Sequence, residues 1–125
     1  MSTRALHDKR YDDALKKARR KAAPLAEVAA LLEAAHGAGD ARATYALATW
    51  YLHGKFFEQN ARRAVTLLKE AARNDIVDAI YDLAVAYEEG RGVQTNPRKA
   101  VELYLRAALQ GEKQSTYEVG RCYYY

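Results

Sequence analysis

Three histidines, one cysteine and the Gly-x-Gly at 90–92 are the residues whose types could do chemistry, and their spacing offers little of it. His7, His36 and His53 are scattered, with no pair at i and i+4 and no Glu or Cys at metal-ligand spacing, so they read as surface histidines. Gly90-Arg91-Gly92 has neither a strand before it nor a Lys-Ser/Thr after it, which makes it a turn and not a phosphate cradle. Cys122 is the only cysteine and has no histidine near it in sequence to activate it, so a packed thiol is expected. No catalytic residue, metal ligand or cofactor-binding residue is nominated, and the chain reads as a non-enzyme. Binding chemistry is better represented. Arg42, Ala46, Thr49 and His53, then Asp78, Asp82, Val85 and Glu89, then Gln114, Glu118, Arg121 and Tyr125 each follow helical spacing, with Tyr45, Tyr81 and Tyr117 beside them. The stripes are expected to hold a basic or mixed-charge segment of a partner, with carboxylates fixing its register and aromatic rings anchoring it. The alternative reading of these stripes is a solvated face above core tyrosines.

The elements that position those stripes recur along the chain. At a step of 36 residues, Ala43, Tyr45, Leu47, Ala48, Tyr51 and Gly54 fall on Ala79, Tyr81, Leu83, Ala84, Tyr87 and Gly90. The register continues through Asn60, Arg62, Ala64, Val65, Leu67, Ala71 and Ala72, which fall on Asn96, Arg98, Ala100, Val101, Leu103, Ala107 and Ala108. An internal repeat of helix, loop and helix follows, most complete over residues 78–111. Asp40, Asn60, Asp75 and the pair Asn96-Pro97 are the expected N-caps, and Gly54, Gly90 and Gly111 the expected stops. Alanines stand where helix axes must approach, with Leu and Tyr filling between layers.

Before these copies, residues 8–22 can form a helix capped by Asp8, with Tyr11, Leu15 and Ala18 on one face. Pro24 suits the start of the next helix, which runs to about His36 and ends in Gly37-Ala38-Gly39. The resulting division is 1–39 for a basic capping helix and a degenerate first repeat, 40–75 and 76–111 for two full repeats, and 112–125 for the first helix of an incomplete one. That last helix leaves Val119, Cys122, Tyr123 and Tyr124 in need of cover, by more repeats, by a partner or by self-association through this end.

Composition narrows the class further. Half of the 125 residues are hydrophobic, enough for one core, and two prolines interrupt little, as an all-α chain requires. The N-terminal residues contain no apolar run for a secretory signal, and no stretch approaches the roughly 20 apolar residues of a membrane span. A cytoplasmic location without membrane contact is expected, in keeping with one cysteine. The net charge of +4 is local: residues 1–23 carry eight Lys/Arg against three Asp, a balance of +5, and the remainder balances to −1. A solvated cap explains the basic helix, since no aromatic or glycine is interleaved to meet bases or phosphates. Nucleic-acid or acidic-partner binding through that helix is the alternative function.

With Ala79, Leu83-Ala84, Tyr87, Gly90-Arg91-Gly92-Val93, Lys99-Ala100 and Ala107-Ala108 in hand, the chain resembles the Sel1-like repeat family, a relative of tetratricopeptide arrays. In the copy at 40–75, Phe56-Phe57 stand where Gly92-Val93 stand, so the second glycine of the family's loop is missing and Phe57 takes the place of Val93. The resemblance implies a right-handed superhelix of helix pairs, about seven helices in all, acting as a protein-interaction scaffold. It further implies an adaptor in signalling or assembly or, in bacteria, a toxin-neutralising protein, with a protein or peptide held on the concave face. One secreted branch of the family is cysteine-rich, and a single cysteine excludes its disulfide pattern.

Overall fold

In a computed structural model, which describes residues 7–19 and 24–124 apart from the side chains of 113, 116, 120 and 122–124, seven helices follow one another without a strand among the described residues. They are α1 (Lys9–Ala18), α2 (Leu25–Gly37), α3 (Ala41–His53), α4 (Ala61–Arg73), α5 (Val77–Glu89), α6 (Pro97–Leu109) and α7 (Lys113–Tyr124). Packing is densest between helices adjacent in the chain, the pattern of a solenoid whose units touch mainly their neighbours. Residues 1–6, with Arg4, residues 20–23, with Arg20 and Lys21, and Tyr125 lie outside the described residues.

The periodic alanines explain how the axes come so close. Ala43, Ala48, Ala64, Ala71, Ala79, Ala84, Ala100 and Ala107 are all 0–2% exposed, and Leu47, Leu67, Leu83 and Leu103 fill the space beside them. The helix starts follow local chemistry. Asn60 accepts a hydrogen bond from the Arg63 N–H at 3.0 Å and Asn96 one from the Lys99 N–H at 3.1 Å, the same capping geometry one period apart. Asp40 caps α3 through the Arg42 N–H at 3.0 Å.

Asp75 does not cap α5, contrary to expectation. Ile76 is the N-cap residue and provides no side-chain bond, and Asp75 stands one position too early with φ +59°. Its carboxylate is taken instead by Arg106 of α6 at 2.8 Å and by Gln110, the α6 C-cap, at 3.4 Å. Gly39 and Gly111, one period either side of Asp75, have φ +94° and +89°, so the link between successive pairs needs a left-handed residue here, and aspartate is among the few non-glycines that tolerate it.

The two loops inside the pairs show the same substitution. Gly54 and Gly90 both have φ +70°, and Phe56 takes φ +62° where Gly92 takes +75°. Both loops carry the same backbone bonds, Lys55 N–H to Trp50 O and Asn60 N–H to Tyr51 O in one, Arg91 N–H to Ala86 O and Asn96 N–H to Tyr87 O in the other. The path is therefore preserved without the second glycine. Phe57 packs on the core as Val93 does, stacked on Tyr51 with ring centroids 4.5 Å apart.

The first helix is shorter than its pattern. It ends at Ala18, with Arg19 as its C-cap, and its buried residue is Ala14 at 1% exposure. Tyr11 is half-buried, while Leu15 and Ala18 are exposed and line an open groove instead of the core.

Candidate functional site

The residues of the three stripes fall into two groups, those that tie successive helix pairs together and those that face outward. Arg42 belongs to the first: its guanidinium donates to Asp40 at 2.7 Å and to Asp12 at 3.5 Å and lies 4.4 Å over the Tyr11 ring. Asp40 is fully buried and also accepts the Asp8 N–H at 2.8 Å. Burial would raise the Asp40 pKa, but the bonds from Arg42 and from the Asp8 and Arg42 amides outweigh it and hold the carboxyl below the usual range.

Tyr45 and Asp82 form the next tie. The Tyr45 hydroxyl donates to Asp82 at 2.7 Å, and burial, reinforced by that bond, pushes the phenol pKa upward. Asp82 is itself shifted upward, by burial first, against the opposing Tyr45 bond and with repulsion from Asp78 added. Tyr81 is half-buried, its ring 5.6 Å from that of buried Tyr104. Glu118 accepts from Arg121 at 2.7 Å, and Arg121 also bonds Glu88, which accepts the Tyr104 hydroxyl at 3.1 Å. Thr49 is half-buried and donates to the Ala46 carbonyl.

The outward group is His53, Asp78, Glu89 and Gln114, with Tyr117 64% exposed. Ala46 and Val85 are half-buried between the two groups. At the C-terminal end Val119 is half-buried against the core, whereas the side chains of Cys122, Tyr123 and Tyr124 lie outside the described residues. In α1, Arg10 pairs with Asp8 and Lys17 with Glu27.

Sequence reasoning missed the grooves between helices. One, of about 60 Å³, has a floor of Leu52, Val65, Leu68, Val85 and Ala86, with Asp82, Glu89 and Arg91 around it. A second, of about 90 Å³, is lined by Tyr11, Ala14, Leu15, Ala18, Val28, Leu32, Ala46, Trp50 and Lys55. Leu32, Ala46, Trp50 and Lys55 are the residues one period before Leu68, Asp82, Ala86 and Arg91, so the same groove recurs from one helix pair to the next. A stripe drawn on one helix at a time could not reveal it, because its walls come from consecutive helices. Among the described residues, no three His, Cys, Asp or Glu side chains gather where they could hold a metal ion, and no helix is long and apolar enough to cross a membrane.

Helix pairs repeated at a fixed step, with one groove seen at two successive steps, define an α-solenoid repeat protein. A profile of the Sel1 repeat matches residues 41–76 and 77–112, more than half of the chain, and the protein belongs to the Sel1 repeat family. Members of this family are generally protein-interaction modules.

Solved structures agree on the fold. A protective antigen present in uropathogenic Escherichia coli strains, described as displaying an SLR fold, aligns with a TM-score of 0.87 at 25% identity over 92% of this chain. This chain spans 25% of that antigen's length. A Sel1 repeat protein from Oxalobacter formigenes aligns with a TM-score of 0.84 at 23% identity, over 90% of this chain and 86% of its own. Helicobacter pylori cysteine rich protein B aligns with a TM-score of 0.75 at 19% identity, over 82% and 77%. No curated protein sequence matches the chain.

Proposed function

We propose that the protein is a non-catalytic adaptor of the cytoplasm that holds a basic or mixed-charge segment of a partner protein along the concave face lined by α3, α5 and α7. The observation that carries this reading is the recurrence of one groove at period-related positions, which matches an extended or helical segment whose apolar residues repeat with the array. Charge supports it: α5 carries Asp78, Asp82, Glu88 and Glu89 and no cation. Exposed Tyr117 provides an aromatic anchor farther along. Arg42, Tyr45, Tyr81, Asp82, Arg121 and Glu118 act in this reading mainly by holding the face rigid, while His53, Asp78, Glu89 and Tyr117 meet the partner, with half-buried Thr49 beside them.

The test uses a partner captured with the intact chain and returned to a variant with Asp78→Lys and Glu89→Lys, both exposed positions. The expected result is a loss of affinity of about tenfold or more with helicity unchanged. Equal affinity would remove this face as the binding surface.

A further inference from the structure

The charges of the helix pairs are sorted by helix. Helix α4 carries Arg62, Arg63, Lys69 and Arg73 against Glu70, and α6 carries Arg98, Lys99 and Arg106 against Glu102, whereas acidic α5 lies between them in the chain. Together the three helices enclose a groove of about 280 Å³, the largest of the three described, on another side of α5 from the one that Asp82, Val85 and Glu89 line. Four cations surround it, Lys69, Arg73, Lys99 and Arg106, over Leu83 and Leu103, and no carboxylate lines it.

Those cations are incompletely neutralised from within. Arg106 is bound to Asp75 and to the Ala72 carbonyl, and Lys99 stands 4.0 Å from Glu102 with both side chains about half exposed. Lys69 and Arg73 make no ion pair among the described residues. Two cations without an ion pair among the described residues, Lys69 and Arg73, stand beside two whose carboxylate partners are largely exposed, so the groove keeps an excess of positive charge over its apolar floor and favours a negatively charged occupant.

We propose that this groove docks an acidic segment of a partner protein, its carboxylates meeting Lys69, Arg73 and Lys99 and an apolar side chain between them resting on Leu83 and Leu103. The apolar floor selects a peptide over a phosphate chain, which has nothing to place there. The aromatic side chain at the groove, Tyr87, already has Lys69 over its ring, 5.9 Å from the centroid, so a base stacking on that face would have to displace the cation. The site is separate from the acidic face and takes a partner of opposite charge.

The test measures fluorescence anisotropy of a short labelled peptide of leucines flanked by glutamates, titrated with the intact chain at low and at high salt. A lysine-leucine peptide and a single-stranded oligonucleotide of equal length serve as comparisons. The acidic peptide is expected to bind, to weaken as salt rises, and to lose about tenfold in affinity with Lys69→Glu and Arg73→Glu together. Asp78→Lys with Glu89→Lys, which disables the other face, is expected to leave that binding no weaker. Should the double reversal lower helicity, Lys69→Gln with Arg73→Gln replaces it, with a loss of about threefold expected. Failure of the acidic peptide to bind, equal binding by the variants, or tighter binding of either comparison ligand at this groove would overturn the proposal, the oligonucleotide result assigning the groove to nucleic acid.

Discussion

The hydroxyl of Tyr45 in α3 donates a 2.7 Å hydrogen bond to the carboxylate of Asp82 in α5, 37 residues later, and so pins one helix pair to the next. Because burial raises the Asp82 pKa above its unfolded value, ionisation is harder in the folded chain. The folded state therefore gains from protonation of Asp82 at low pH and loses that gain as pH rises from the unfolded pKa through the folded one. Asp82→Asn keeps an acceptor for Tyr45 and removes the charge. Its stability in urea, relative to the parent chain, is expected to be higher at pH 8 than at pH 4. A relative stability that falls over that interval would show that the ionised carboxylate is favoured in the fold.

Tyr45→Phe tests the other partner. It deletes the donor and leaves the carboxylate partly buried without that bond, at a cost of about 1–3 kcal/mol at pH 8. Denaturant titration would measure it, and an unchanged midpoint would mean that water replaces the phenol freely.

Gly92→Ala addresses the loop path. The residue has φ +75°, and an added Cβ would stand 2.4 Å from the Ala61 carbonyl oxygen at the start of α4. The left-handed backbone alone costs about 1–2 kcal/mol, and the contact adds to it. At Gly37, where a Cβ meets nothing within 4 Å, the same substitution is expected to be neutral or stabilising by about 0.4–1 kcal/mol. Paired thermal melts compare the two, and equal Tm values would contradict the close approach of this loop to α4.

Ala84→Leu tests the packing of the axes. Ala84 is 0% exposed, and three more carbons there force helices apart or rotamers out of their wells, costing about 1–3 kcal/mol. An unaltered Tm would show spare room that the alanine pattern denies.

Arg106→Met tests the tie that displaced the expected cap. The guanidinium bond from Arg106, first, and the amide bond from Gln110 hold the Asp75 carboxyl below its usual range. Stability from this pairing is present above the unfolded carboxylate pKa and is lost as pH falls through the lowered folded one. The variant is expected to be less stable by about 1 kcal/mol or less near neutrality, since the pair is well exposed, with the deficit shrinking on acidification. A deficit constant with pH would assign it to the Ala72 carbonyl bond alone.

What the sequence disclosed depends on the range of the interactions involved. Asn60 and Asn96-Pro97 were legible as caps because a cap is decided within four residues. Asp75 was not, since aspartate suits both an N-cap and a left-handed link, and the partner that decides between them, Arg106, lies 31 residues away. Tyr45 and Asp82 were both noted as members of binding stripes, but their mutual bond crosses a little more than one period and appears only when helices are laid side by side. The basic groove escaped for a different reason. Charge summed over residues 24–125 cancels, although Lys69 and Arg73 at i, i+4 and Lys99 and Arg106 at i, i+7 already shared helix faces.

The sorting of acidic α5 from basic α4 and α6 distributes charge unevenly over the molecule, with an acidic face and a basic groove on different sides of α5. In dilute buffer an approaching polyion would be turned before it touches, cations drawn toward the acidic face and anions toward the basic groove. Near 0.15 M salt, where the screening length is about 8 Å, that torque dies away and each flank meets its visitors on its own.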